Sequence, residues 1–326
     1  MSPNKTRITL LSAVAVTATL GGALVMGQSE PAGPDAIPRE ATVEYGRRLI
    51  RETAALIGPN AEDPSMRYSG SNLDCASCHL QIGMDPGQLS LLGATPRYPR
   101  HSGRDGQMQD MRSRINGCME RSMNGQMLPR DSVELIAMEL FLENLNGQYE
   151  AMGKTNQTPV EPPLFEWPTR RSDPEAGRLI YEQRCVVCHG ENGEGLLETG
   201  DPKDGYLFPP LWGPDSYNDG AGMHRVLTAA RFIKARMPLG QPDLTDDEAY
   251  DVAAFMNSQP RPQKDNLQAD YPDRLRKPFD SPYPPYVDGD PFTQDQHKYG
   301  PFQPIRDWYT ERREAARAGS AEDEIV

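Results

Sequence analysis

Apolar residues recur at helical spacing in two matched pairs of segments. The first members are Glu44-Tyr45-Gly46-Arg47-Arg48-Leu49-Ile50 and Glu175-Ala176-Gly177-Arg178-Leu179-Ile180, which share an acidic residue, a glycine, an arginine and a Leu-Ile pair. Ser172-Asp173-Pro174 supplies the second with a polar cap and a proline in its first turn. The later members are 133–145, with Leu135, Met138 and Leu142 on one face, and 246–257, with Val252, Phe255 and Met256. Gly46 and Gly177 would let the early and late helices of each half cross closely. Runs of alternating β-branched residues are scarce, so an all-α fold is expected. Pro159, Pro162, Pro163 and Pro168 make 151–170 an extended linker. Beyond 262 the chain is rich in Pro, Asp and Tyr, and Pro282, Pro284 and Pro285 forbid a regular helix there. A charged, helix-prone stretch follows from Ile305. Tyr283, Tyr286, Phe292, Tyr299 and Phe302 predict that this tail, 263–326, packs back on the helical modules.

A length of 326 residues accommodates two domains. The net charge of −13 argues against a nucleic-acid partner, because phosphate binding needs a cationic surface. Residues 1–27 read as an export segment: Lys5 and Arg7 precede an uncharged run from Ile8, and Val25 and Gly27 suit a signal peptidase site. The run is also long enough to serve as an uncleaved anchor. Either reading places the folded part outside the cytoplasm, in the periplasm.

The chemistry begins at Cys75-Ala76-Ser77-Cys78-His79 and Cys185-Val186-Val187-Cys188-His189. The C-x-x-C-H spacing lets two thiols form thioethers with one haem while the adjacent histidine faces the iron. A zinc site would need a matched set of four ligands, and a redox pair would not need histidine twice. Two covalently bound c-type haems are therefore expected. A helix, a haem motif and a closing helix are the layout of a small cytochrome c domain. The chain thus reads as two tandem cytochrome c-like domains, 38–150 and 171–262.

The second axial position on each iron separates electron transfer from chemistry. In the second domain Met237, in Arg236-Met237-Pro238, is the leading candidate over Met223 and Met256. In the first, generic rules favour Met127, yet Cys118 is the one cysteine the haems leave over. Arginines 97, 100, 104, 112, 114 and 121 surround it, against Asp105, Asp110 and Glu120. If 107–123 is helical, Arg114, Cys118 and Ser122 share one face. A guanidinium one turn away favours thiolate over thiol, making a nucleophile or an iron ligand. The same cations would grip a small dianion through forked hydrogen bonds.

The run Arg114-Ile115-Asn116-Gly117-Cys118-Met119-Glu120-Arg121-Ser122-Met123-Asn124-Gly125 resembles the signature of the dihaem thiosulfate dehydrogenases. So do Ser216-Tyr217-Asn218-Asp219-Gly220-Ala221-Gly222-Met223, Phe232-Ile233 before Arg236-Met237-Pro238, and His297-Lys298-Tyr299-Gly300-Pro301-Phe302 in the tail. The resemblance implies oxidation of two thiosulfates to tetrathionate, reversed in some members. It implies His79 and Cys118 as axial ligands of the active-site haem, Arg104 and Arg114 as substrate ligands, and Ser122 as an active-site serine. His189 and Met237 would ligate the second haem, which passes electrons to a soluble or membrane-linked redox acceptor. Some members carry a lysine directly before that methionine and exchange ligands with redox state. Arg236 stands here instead, so stable His/Met ligation is expected, with Lys234 the nearest lysine. Three other readings fit parts of the pattern: a non-catalytic dihaem electron carrier using Met127, a Sox-type dihaem sulfur transferase subunit, and a dihaem peroxidase.

Overall fold

The computed structural model describes residues 40–85, 87, 89–154 and 165–323. The residues read as an export segment, 1–27, and most of those read as a proline-rich linker lie outside the described residues.

The first half opens with α1 (Val43–Arg51), whose start is fixed by the Thr42 hydroxyl accepting from the Tyr45 N–H at 3.1 Å. A short α2 (Thr53–Ile57) leads into the first haem motif, a 3₁₀ turn over Cys75–Ser77. A two-residue hairpin, β1 (Arg100–His101) against β2 (Met108–Gln109), precedes α3 (Met111–Arg121). That helix is shorter than the expected 107–123. Met108 and Gln109 are held in the hairpin, and the Asp110 carboxylate accepts from the Ser113 N–H, so the helix begins only there. The closing helix α4 (Val133–Ala151) is capped by Ser132.

The second half repeats the plan. Helix α5 (Pro174–Arg184) starts at Asp173 with proline in the first turn, and α6 (Val186–His189) carries the second haem motif. A second hairpin pairs β3 (Leu196–Leu197) with β4 (Tyr206–Phe208). Then come α7 (Val226–Arg236) and the closing α8 (Asp246–Ser258), which begins with a reciprocal Thr245–Glu248 capping box.

In both halves the early and closing helices cross at the predicted glycine. A Cβ on Gly46 would stand 1.9 Å from the Ala137 carbonyl oxygen, and one on Gly177 would stand 2.0 Å from that of Asp251. No side chain larger than hydrogen fits between those backbones. Leu49, Ile57, Leu135, Met138 and Leu145 form the first core. Tyr181, Trp212, Tyr250 and Met256 anchor the second.

The tail folds onto this pair through α9 (Gln294–Tyr299) and α10 (Phe302–Asp323). Phe302, Ile305 and Tyr309 are buried in the second core, a contribution of about 1.5–3 kcal/mol for each fully covered apolar side chain. Before these helices the tail is irregular but tightly held. The buried Lys277 ammonium donates to the carbonyls of Tyr283 and Pro285 at 2.6 and 2.9 Å, and buried His297 stacks on Tyr286 at 3.8 Å. The two halves meet directly: the Asn72 N–H donates to Asp215 at 2.8 Å, and the Asn218 N–H to the Arg121 carbonyl at 3.1 Å.

Candidate functional site

Both haem motifs present their histidine in the same way. His79 Nδ1 lies 2.6 Å from the Leu89 carbonyl, and His189 Nδ1 lies 2.8 Å from that of Pro209. A carbonyl can only accept, so Nδ1 carries the proton and Nε2 is left as the metal-binding nitrogen. Burial lowers the pKa of both imidazoles and keeps them in the neutral form that a ligand needs; Arg114 adds to this at His79. Burial likewise pushes the Cys75 thiol up to about 12 and those of Cys78 and Cys185 up to about 11. The donor sets and the buried, oriented histidines fit one covalent haem at each motif.

Around His189 the cavity is apolar, about 320 Å³, and Met237, Met223 and Met256 all line it. Met256 belongs to the closing helix and is buried in the core, whereas Met237 follows the last turn of α7. Its neighbours are tied down. Arg236 pairs with Asp85 of the first half at 2.8 Å, and Lys234 donates to the Leu244 carbonyl at 2.7 Å with Asp246 beside it at 3.5 Å. The Lys234 ammonium is thus engaged away from the cavity. Cys78, Ser77 and Leu80 of the first motif line the same cavity, so the two haem motifs adjoin.

The first module differs. Arg114 and Cys118 stand one turn apart on α3, and the Arg114 Nη1 lies 3.1 Å from the Cys118 Sγ. A charge on that sulfur raises the Arg114 pKa, more than offsetting its burial, and also acts on the thiols of Cys75 and Cys78. Cys118 therefore sits within electrostatic reach of the first haem motif. The next turn places Ser122 on the same face, its N–H donating to the Cys118 carbonyl. Beside this face opens a polar cavity of about 1000 Å³ lined by Arg104, Arg114, Ser122, Arg100, Arg130 and Arg276, among others. Met127 lies on its wall, 59% exposed.

Arg104 reaches this cavity from the loop between β1 and β2. Its Nη1 donates to Asp270 at 2.6 Å, to the Gly220 carbonyl at 3.3 Å and to the Tyr283 hydroxyl at 3.4 Å. Burial works against its charge, but Tyr271, Tyr283 and Asp270 together raise its pKa above the ordinary arginine value. The sequence pattern singles out no tail residue for this site. Asp270 lies 166 positions from Arg104 in an irregular polar stretch, and nothing local marks it.

Residues 67–147 match the SoxA/TsdA cytochrome c domain, and 172–256 match a cytochrome domain described as cytochrome c oxidase, cbb3-type, subunit III. A thiosulfate dehydrogenase of Allochromatium vinosum is 39% identical over 235 residues, covering 70% of this chain and 81% of the relative. One from Stutzerimonas stutzeri is 40% identical over 231 residues, 69% of each chain. The solved thiosulfate dehydrogenase (TsdBA) from Marichromatium purpuratum superposes with a TM-score of 0.60 at 36% identity, covering 72% of this chain; this chain spans half the length of that one. The chain belongs to the thiosulfate dehydrogenase family and is a two-haem c-type cytochrome, an oxidoreductase acting on sulfur compounds.

Proposed function

We propose that the protein oxidises two thiosulfate ions to tetrathionate in the arginine-lined cavity beside Cys118, after export to the periplasm. The observation that carries this reading is the 3.1 Å contact between Arg114 and Cys118, which puts a sulfur within electrostatic reach of the first haem motif next to a guanidinium that lines a cationic cavity. Cys75, Cys78, His79 and Cys118 would hold the first haem. Cys185, Cys188, His189 and Met237 would hold the other. When bound, the haems take up the two electrons released from sulfur and pass them to an external redox acceptor.

The chain's own residues handle charge and sulfur. Thiosulfate is a dianion, and bringing two together is opposed by their repulsion. Arg104 and Arg114 offset it with positive groups set in place before the reaction. The Cys118 thiolate forms a bond to the sulfane sulfur of the first thiosulfate as two electrons depart, leaving a cysteine S-thiosulfonate. The sulfane sulfur of the second thiosulfate attacks the sulfane sulfur of that adduct. The new bond completes tetrathionate and the Cys118 thiolate leaves, so atoms and charge balance over the cycle. Ser122, one turn beyond Cys118, is placed to donate its hydroxyl to an oxyanion in the cavity.

Replacement Cys118→Ser tests this directly. Thiosulfate-dependent reduction of an artificial acceptor is expected to fall about a thousandfold or more, while haem analysis still counts two covalent groups. Unchanged turnover would leave a dihaem carrier with Met127 as ligand. Tetrathionate formed by the purified protein without a carrier protein separates the proposal from a Sox-type sulfur transferase, which would need a protein thiol as co-substrate.

A further inference from the structure

Asp270, in the tail, does not line the arginine-rich cavity but bonds to Arg104, which does. Asp270 is buried between two guanidinium groups. Its carboxylate accepts from Arg104 Nη1 at 2.6 Å and from Arg121 Nη2 at 2.8 Å, and the Tyr283 hydroxyl donates to it at 3.2 Å. All three hydrogen bonds of the Arg104 guanidinium leave from Nη1. Its Nε and Nη2 make none with the described residues. Those two nitrogens form the side edge of the guanidinium, which matches two oxygens of an oxyanion.

The clamp extends to the backbone. The Tyr271 N–H donates to the Arg104 carbonyl at 2.6 Å, and the Tyr271 ring lies 5.1 Å from the Arg104 guanidinium carbon. Tyr271 holds a left-handed φ of +59° to do this, a conformation costly for an aromatic residue and retained where surrounding contacts demand it. Tyr283 is fixed in turn by the buried Lys277, which bonds its carbonyl and stands over its ring at 4.4 Å.

We propose that Asp270, steadied by Tyr283, is a positioning residue for thiosulfate: it holds the far nitrogen of Arg104 so that the free Nε/Nη2 edge faces the cavity. This rests on the reading of Arg104 as a thiosulfate ligand. A carboxylate near an anion site would ordinarily oppose anion binding. Here two arginines and a tyrosine saturate it, so its orienting effect outweighs its charge.

The test uses the full-length protein with both haems, assayed for thiosulfate turnover with an artificial acceptor. In Asp270→Asn the KM for thiosulfate is expected to rise about tenfold, the scale of one lost charge-assisted hydrogen bond, with kcat changed less than about threefold and haem absorption unchanged. Tyr283→Phe is expected to raise KM about threefold, a single neutral hydrogen bond, and decides the question alone should Asp270→Asn fail to fold. Adding Asp270→Asn to Arg104→Ala is expected to have no further effect on KM, because the proposed effect of Asp270 on thiosulfate runs through Arg104 rather than through Arg121. If Arg104→Ala itself leaves KM unchanged, the underlying assignment of the site fails. If Arg104→Ala raises KM while Asp270→Asn or Tyr283→Phe leaves it unchanged or lowers it, or if the two losses add fully, the positioning role is overturned.

Discussion

The two cytochrome modules share a scaffold and part company in one segment. Each crosses an early and a closing helix at a glycine, and each ties its haem-motif histidine through Nδ1 to a loop carbonyl. Between the motif and the closing helix they diverge. The second module fills that space with apolar side chains and methionines around about 320 Å³. The first places α3 there, with Arg114 and Cys118 in contact beside about 1000 Å³ of arginine-lined cavity. On the proposed function, scaffold and chemistry are separable: repeated packing would hold the cofactors, while the intervening segment would decide whether a module reacts or relays.

The largest effect should come from the segment that differs. Arg114→Ala is expected to lower kcat/KM for thiosulfate by about a hundredfold or more, the cost of losing a preorganised charged donor. Electron transfer from a chemical reductant through the second haem should persist. Equal damage to both activities would blur the division between the modules.

Next come the crossings that the modules share. Gly46→Ala and Gly177→Ala each force a methyl against a backbone carbonyl, and each is expected to destabilise the protein by about 3 kcal/mol, read from thermal or denaturant unfolding. If only one does so, the scaffolds are not equivalent.

Met237→Ala is expected to lower the potential of one haem, followed by redox titration, and to slow delivery to an acceptor by about tenfold, with the other haem unaffected.

The smallest effect is the acid response common to both. Burial keeps the folded His79 and His189 pKa values below 6.5, so their unfolded forms bind protons that the native state refuses. Stability contributed by neutral imidazole is complete above pH 6.5 and is lost as pH falls towards the folded values. Acid unfolding of the wild type against pH, followed by haem absorption, measures it; stability that does not fall as the pH drops below 6.5 contradicts it.

What could be read from residues was local. The early and closing helices, the Asp173 cap and the crossing glycines follow from spacing within a few turns, and Cys118 with Arg114 follows from i, i+4 geometry on one helix. Three features depended on chain segments meeting in space. The carbonyls that orient the histidines belong to Leu89 and Pro209, and a backbone acceptor leaves no mark in residue type. The start of α3 depended on hairpin pairing with Arg100 and His101. Asp270 reaches the arginines only because the tail folds back, and one acid among 47 acidic residues carries no signal of its own.

Electron paramagnetic resonance of the oxidised protein tests the central claim most directly. Two low-spin haem signals are predicted, one typical of thiolate ligation and one of His/Met ligation. In Cys118→Ser the thiolate signal should disappear while the other persists. A wild-type spectrum with no thiolate-type signal, or one that Cys118→Ser leaves unaltered, would contradict the claim.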